Sequence, residues 1–251
     1  MQFQEAFFPI FVAHLIGDFI FQTEQMALKK ANNLRWLVLH ATELGVITWV
    51  CCWTWAAWPV VAVVFLTHIV FDWTKPRMPG SPLRWYIVDQ TLHLVVLIFC
   101  ARWMTSNLGT FEMPLTAHVS VPCQAIIAAY IMVARPLTVT LGLFLKPWQT
   151  ELLKDNGNGS ATDPVTGLTR SGEWVGNWER FIILTCILAG QYGLIGALLV
   201  MKGIMRFGDI ARPEQRKKAD YILIGTLASF GLALVVGLLT LMVDGTDALL
   251  R

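Results

Sequence analysis

Four of the five histidines in this 251-residue chain sit inside apolar runs, each with an acidic residue one helical turn away. His14 is followed by Asp18, His68 by Asp72, Asp89 by His93, and His40 by Glu43. Spacings of four, or of three in the last pair, put both side chains of a pair on one helix face. Imidazole and carboxylate together can do three kinds of work. They can ligate zinc, manganese or iron, with some carboxylates fixing the imidazole tautomer from behind. They can relay protons or ions through a membrane interior. They can also join helices as a structural polar network.

Depth ties the four pairs together. Asp18 lies four residues inside Gln22, His40 five beyond Arg35, His68 seven before Lys75 and Asp89 five after Arg84. At about 1.5 Å per residue, these groups fall roughly 5–15 Å below one surface. Their carriers alternate in direction yet return their polar groups to one level, where they can converge on one cavity. An Asp at the middle of a membrane helix opposes insertion by about 2.5–3.5 kcal/mol. Three of them therefore need pairing, a metal or water.

The carriers read as membrane helices. Hydrophobic residues make up 55% of the chain and charged residues 14%, against about a quarter charged in soluble domains. Apolar runs lie near 5–22, 35–55, 58–74, 85–103, 121–145, 178–201 and 220–243, each about the length that crosses a bilayer. They lack the alternation of a membrane barrel, and Trp gathers at their ends as in interfacial belts. The expected fold is an all-α polytopic bundle of six or seven spans. Residues 1–104 should form a four-helix transmembrane unit carrying the His/Asp cluster. Residues 105–251 should add a polar loop at 146–177 and two or three further membrane segments.

Lys29, Lys30, Arg35, Lys75, Arg77 and Arg84 flank the first and third connections, whereas the 55–59 turn and the 104–120 loop carry no Lys or Arg. The positive-inside rule then places the N-terminus outside and the first and third connections in the cytoplasm. The six basic residues of the 202–218 loop favour the same side. Arg135-Pro136, a charge beside a helix breaker, predicts a broken or re-entrant segment within 121–145. Glu179-Arg180 reads as a potential pair and Gln191 as a mid-span polar residue. Gly225, Ser229, Ala233 and Gly237 form a small-residue stripe suited to close packing, either within the chain or as a homodimer seam against membrane neighbours.

Several function classes drop out. Net charge is +2 with no basic stretch interleaved with aromatics, which argues against nucleic acid. The five Cys are scattered through apolar runs without C-x-x-C, as small buried hydrophobes are. The turn-rich stretch at 155–160 fails the EF-hand pattern. H-E-x-x-H, G-x-S-x-G and the P-loop are absent from the sequence. The first run lacks a basic leader and a small-residue cleavage site, so it is expected to be retained.

The combined pattern resembles a known group. His14-x3-Asp18-Phe19-x2-Gln22, His40, His68-x3-Asp72-x2-Lys75 and Asp89-Gln90-x2-His93 are similar to the bacterial membrane proteins of domain-of-unknown-function family 3307. Gly176-x2-Glu179-Arg180, Gly190-Gln191, Ile195-Gly196, Lys202-x3-Arg206-Phe207 and Tyr221-x-Leu223-Ile224-Gly225-Thr226 resemble the second half of its longer members. Gly203 and Asp220 depart from that pattern, where Ser and Glu are expected. The resemblance implies a bacterial cytoplasmic (inner) membrane location and supplies no activity.

The residues themselves favour a membrane-embedded metal-dependent hydrolase. Its substrate would be a lipid, a lipid-linked molecule or a membrane peptide near the cytoplasmic face. His14, His68, His93 and Asp72 are the leading ligands for a divalent transition metal, zinc first, with His40 as a further ligand. Asp18 and Asp89 would act as second ligands or as orienting or catalytic carboxylates, and Glu43 as general base. A proton- or ion-coupled transporter using the same residues as a relay is the alternative, and a structural membrane subunit is third.

Overall fold

The computed structural model describes the backbone of residues 1–108, 118–155, 165–210, 216–246 and 250. Side chains at 153–155, 165–171, 205–210, 216 and 218 are outside that description. The described residues are helical and hold no strand. They divide into two compact units, Met1–Ile131 and Met132–Arg251.

In the first unit, helix α1 (Phe3–Leu15) runs directly into a π-helical turn, Ile16–Phe21. A short α2 (Glu24–Lys29) follows, then α3 (Leu34–Cys52), α4 (Trp58–Thr74) and α5 (Pro82–Asn107). Local chemistry sets these boundaries. The Thr23 hydroxyl accepts from the Met26 amide at 3.2 Å and starts α2. The Asn33 side chain accepts from Arg35 N at 2.9 Å at the head of α3. Such caps satisfy amides that have no partner within the helix. Trp53, left-handed at φ 45°, ends α3, and Pro59 and Pro82 stand in the first turns of α4 and α5, where proline is tolerated.

The four long helices close a ring. α1 packs on α3 and α5, α3 on α4, and α4 on α5. One half of the ring is apolar, with Ile10, Leu44, Val64 and Leu97 all 2% exposed or less. Four residues along the same helices stand His14, His40, His68 and His93, also buried. A polar layer thus sits one helical turn from the apolar core. Outward faces are apolar as well, with Leu39, Val46, Leu66, Val70, Val95 and Phe99 exposed. A bundle apolar on both its inner and outer faces belongs in lipid. Among the described residues, six helical segments are long and apolar enough to cross a bilayer: Phe3–Phe21, Leu34–Cys52, Trp55–Arg77, Pro82–Asn107, Val121–Leu152 and Ala219–Leu241. The chain is an all-α membrane protein.

Helix α6 (Val121–Ala134) leads into the second unit, which contains α7 (Pro136–Asp155), α8 (Val165–Leu188), α9 (Tyr192–Ile210) and α10 (Arg216–Leu241). The expected break in 121–145 falls at Arg135, between α6 and α7. Three other expectations are corrected. Run 178–201 is not one span. Gly190, at φ 67°, terminates α8, Gln191 N bonds to Cys186 O at 2.7 Å and Gly190 N to Ile187 O at 3.0 Å. That bond pair is a Schellman cap, so Gln191 lies beyond a helix end. The stretch read as a polar loop at 146–177 is helical up to Asp155 and again from Val165. The basic 202–218 loop is helical to Ile210 and from Arg216. The turn-rich stretch at 156–164 and residues 211–215 lie outside the described residues.

The small-residue stripe of α10 is occupied within the unit. A Cβ added at Gly237 would meet Ile187 of α8 at 2.6 Å, and one at Gly225 would meet Leu145 of α7 at 3.1 Å. Ser229 and Ala233 are 5% and 0% exposed. Gly225 and Gly237 thus serve close helix approach within the unit, the first of the two expected uses.

Candidate functional site

Each of the four ring helices contributes to one buried polar cluster. His14 and Asp18 come from α1 and its π turn, His40 from α3, His68 and Asp72 from α4, and Asp89 and His93 from α5. All seven side chains are 7% exposed or less. The π turn carries Asp18, and Gln22 N closes its wide ring on Gly17 O at 3.2 Å. Such insertions often mark functional positions.

The imidazoles gather tightly. His68 stacks on His93 with ring centroids 4.1 Å apart, and His14 lies 5.1 Å from His93 and 5.4 Å from His68. His40 stands 6.2 Å from His68. Among the described residues, His14, Asp18 and His93 can offer one ligand atom each, all within 4.8 Å of one another.

The carboxylates are held unequally. Lys30 Nζ donates to Asp72 Oδ2 at 2.8 Å, and Lys75 Nζ to Asp89 Oδ2 at 2.6 Å. Asp18 has no lysine at ion-pair distance among the described residues. Its oxygens accept from His40 Nε2 and Gln90 Nε2, both at 3.1 Å. Gln90 Nε2 also reaches Asp89 Oδ2 at 3.3 Å, and His40 Nε2 lies 3.6 Å from Asp72 Oδ2. Lys30 additionally bonds Gln22 Oε1. A polar chain thus runs from Lys30 through Asp72, His40, Asp18, Gln90 and Asp89 to Lys75.

Hydrogen-bond chemistry assigns two tautomers. The Val64 carbonyl, 2.8 Å from His68 Nδ1, can only accept, so Nδ1 carries the proton and Nε2 is a bare acceptor in the neutral ring. The Asp18 carboxylate likewise makes His40 Nε2 the donor. Several buried atoms stay without a hydrogen-bond partner: His14 Nδ1, His40 Nδ1, His68 Nε2, both nitrogens of His93 and Asp89 Oδ1. Buried polar atoms are nearly always paired, and these gather around the point where His14, Asp18 and His93 come together. His93 Nδ1 and Asp89 Oδ1 lie 3.8 Å apart, close enough for charge to act between them and too far for a hydrogen bond.

Residues 6–121 match the family described as "Protein of unknown function (DUF3307)". That segment belongs to the family. It takes in all seven residues of the polar cluster and, but for the first three residues of α1, the four ring helices. No curated protein and no solved structure matches the chain.

The geometry of the DUF3307 segment redistributes the roles read from the sequence. Asp18, expected as a second ligand or an orienting carboxylate, is the carboxylate grouped with His14 and His93. Asp72, expected to ligate, is engaged by Lys30, and His40 serves Asp18 through Nε2. His68 presents Nε2 into the cluster beside that group. Asp89 Oδ1 lies 3.8 Å from His93 Nδ1 without a hydrogen bond to it. Glu43 is half-buried, and no hydrogen bond joins it to the cluster among the described residues. Its spacing of three from His40 leaves it on the same helix face one turn farther along. Gln90 was missed as a functional residue, since an amide beside Asp89 on a helix gives no sequence signal of its reach to α1. Lys30 and Lys75 were read as interfacial charges, yet both turn inward.

Proposed function

We propose that residues 1–104 form a membrane-embedded metal-dependent hydrolase acting near the cytoplasmic face of a bacterial inner membrane. The observation that carries this reading is the grouping of His14, Asp18 and His93 around one point where charge balance lacks a cation. Three carboxylates face two ammonium groups, and Asp18 is the one without a lysine. With neutral imidazoles the cluster carries one net negative charge, which a bound cation would offset. The unpartnered imidazole nitrogens fit such an ion. Two imidazoles and a carboxylate form a ligand set of catalytic zinc sites, which leaves a position open.

His14, Asp18 and His93 would hold the ion. Bound there, zinc would polarise a scissile carbonyl or phosphoryl group and make water nucleophilic. The remaining residues have separate tasks. His40 and Gln90 fix the Asp18 carboxylate. Lys75 holds Asp89, whose Oδ1 lies 3.8 Å from His93 Nδ1. His68 Nε2, with its ring set by the Val64 carbonyl, takes a proton from attacking water and returns it to the leaving group. Lys30, Lys75, Arg77 and Arg84 lie at the same end of the ring, which supports its cytoplasmic placement and a substrate seated at the interface. That substrate is a lipid, a lipid-linked molecule or a membrane peptide.

The test is a hydrolysis screen of the purified full-length protein over those three classes. Activity that chelator removes and zinc restores, and that Asp18→Asn abolishes without unfolding the protein, is the expected result. A zinc-loaded, folded protein that hydrolyses none of the three classes would sink the reading.

A second reading, proton- or ion-coupled transport, draws on the polar chain from Lys30 to Lys75 and on the burial of all seven cluster residues. Closely linked ionisable groups of this kind form relays in membrane proteins. Its signature is pH-linked uptake into liposomes without added metal.

A further inference from the structure

Arg180, in α8, is 3% exposed and belongs to the second unit, outside the matched residues 6–121. Its Nε donates to Val133 O at 2.7 Å, Nη1 to Ser229 Oγ at 3.1 Å and Nη2 to Thr138 Oγ1 at 2.6 Å. Nη2 also bonds Asn177 Oδ1. All four acceptors are neutral. Glu179, the neighbour expected to pair with it, is turned to Lys202 at 2.5 Å, because consecutive helix residues do not share a face. Among the described residues no carboxylate lies within ion-pair distance of Arg180.

The guanidinium is deep. Its partner Ser229 is the eleventh residue of the 23-residue candidate span Ala219–Leu241, about 15 Å or more from either end. Its partner Val133 lies at the interruption of α6 and α7, where Pro136 has no amide to donate. A cation at this depth beside a broken helix is where membrane proteins place ligand sites. One N–H of Nη1 has no acceptor among the described residues. Gly176 borders Nη1: a Cβ added there would meet only that atom, at 3.4 Å. The glycine therefore leaves a side-chain-free notch beside Nη1, and the carboxylates that act on the guanidinium, Glu179 and Glu173, do so from beyond ion-pair distance.

We propose that Arg180, Ser229 and the Gly176 notch bind an oxyanion, the phosphate group of a solute or of a lipid. The guanidinium supplies the charge and the free N–H of Nη1, and the neutral acceptors hold it rigid. This inference does not depend on the metal reading of the first unit.

The test is thermal unfolding of the full-length protein in neutral detergent. One arm adds inorganic phosphate against sodium chloride of equal ionic strength. The other adds micelles of phosphatidylglycerol against phosphatidylcholine. The expected result is a saturable rise of about 5 °C or more in one arm, and that arm identifies the source. Gly176→Val fills the notch while leaving the four bonds of Arg180, so it should unfold near the wild-type temperature without anion and lose the rise. A wild type that responds in neither arm would overturn the proposal and leave Arg180 as a clamp on the helix break. A rise that survives in Gly176→Val would overturn it too, because the anion would then bind elsewhere.

Discussion

In the proposed metal site, Asp18 is the residue on which the chemistry turns. Its carboxylate is grouped with His14 and His93, and its two oxygens are held by His40 and Gln90. Asp18→Asn should keep the fold, since an amide preserves the shape, and lower metal affinity well over 10-fold, checked by competition with a chromogenic chelator. Gln90→Leu removes only the support, so affinity should fall about 10–100-fold, the range for lost outer partners. Lys30 makes a different claim. Lys30→Met strands the buried Asp72 carboxylate and should lower stability by about 3–5 kcal/mol, whereas Lys30→Met with Asp72→Asn should recover most of that loss. A double variant no more stable than the single would argue against this pairing. At this scale the sequence revealed the seven cluster residues, because intramembrane His and Asp stand out against apolar neighbours. It did not reveal which carboxylate lacks a cation. That depends on Lys30 and Lys75 turning inward from the ends of the spans, and on Gln90 reaching across to another helix.

The element that brings Asp18 into place is the π turn after α1, seated by a close approach to α3. A Cβ at Gly17 would overlap Leu44 Cδ2 and lie 2.9 Å from Cγ, and Leu44 is fully buried. Gly17→Ala is therefore expected to lower stability by about 1–3 kcal/mol through overpacking and to weaken metal binding by displacing Asp18. Adding Leu44→Ala should restore part of both, measured by thermal unfolding and chelator competition. An alanine variant identical to wild type would show that the helices do not meet so closely. Helix existence and order in the first unit were legible from the apolar runs, as was the return of the polar groups to one level. The π turn was not, because its wider ring leaves no mark in the apolar pattern. The end of α8 was misread because Gly190 and Gln191 interrupt an otherwise apolar run, and only the Schellman bonds show that the chain stops there. The expected interruption at Arg135-Pro136 was legible because a proline removes a specific amide.

At the scale of the molecule, six apolar helical segments among the described residues and a ring with apolar inner and outer faces describe a membrane protein whose first unit holds a polar layer near one end. Crossing direction can be read by labelling. In a variant without native cysteines, cysteines at Trp55 and Arg77, the two exposed ends of one candidate span, should react from opposite sides, with Arg77 cytoplasmic. Reaction from the same side would contradict the crossing of α4. The central claim is that the first unit is built around a cation. It is tested most directly by elemental analysis of the purified full-length protein beside His93→Ala and Asp18→Asn. The account predicts about one transition-metal ion per chain in the wild type and its loss from both folded variants. A well-folded wild type that carries no metal, and takes up none when zinc is added back, would contradict it.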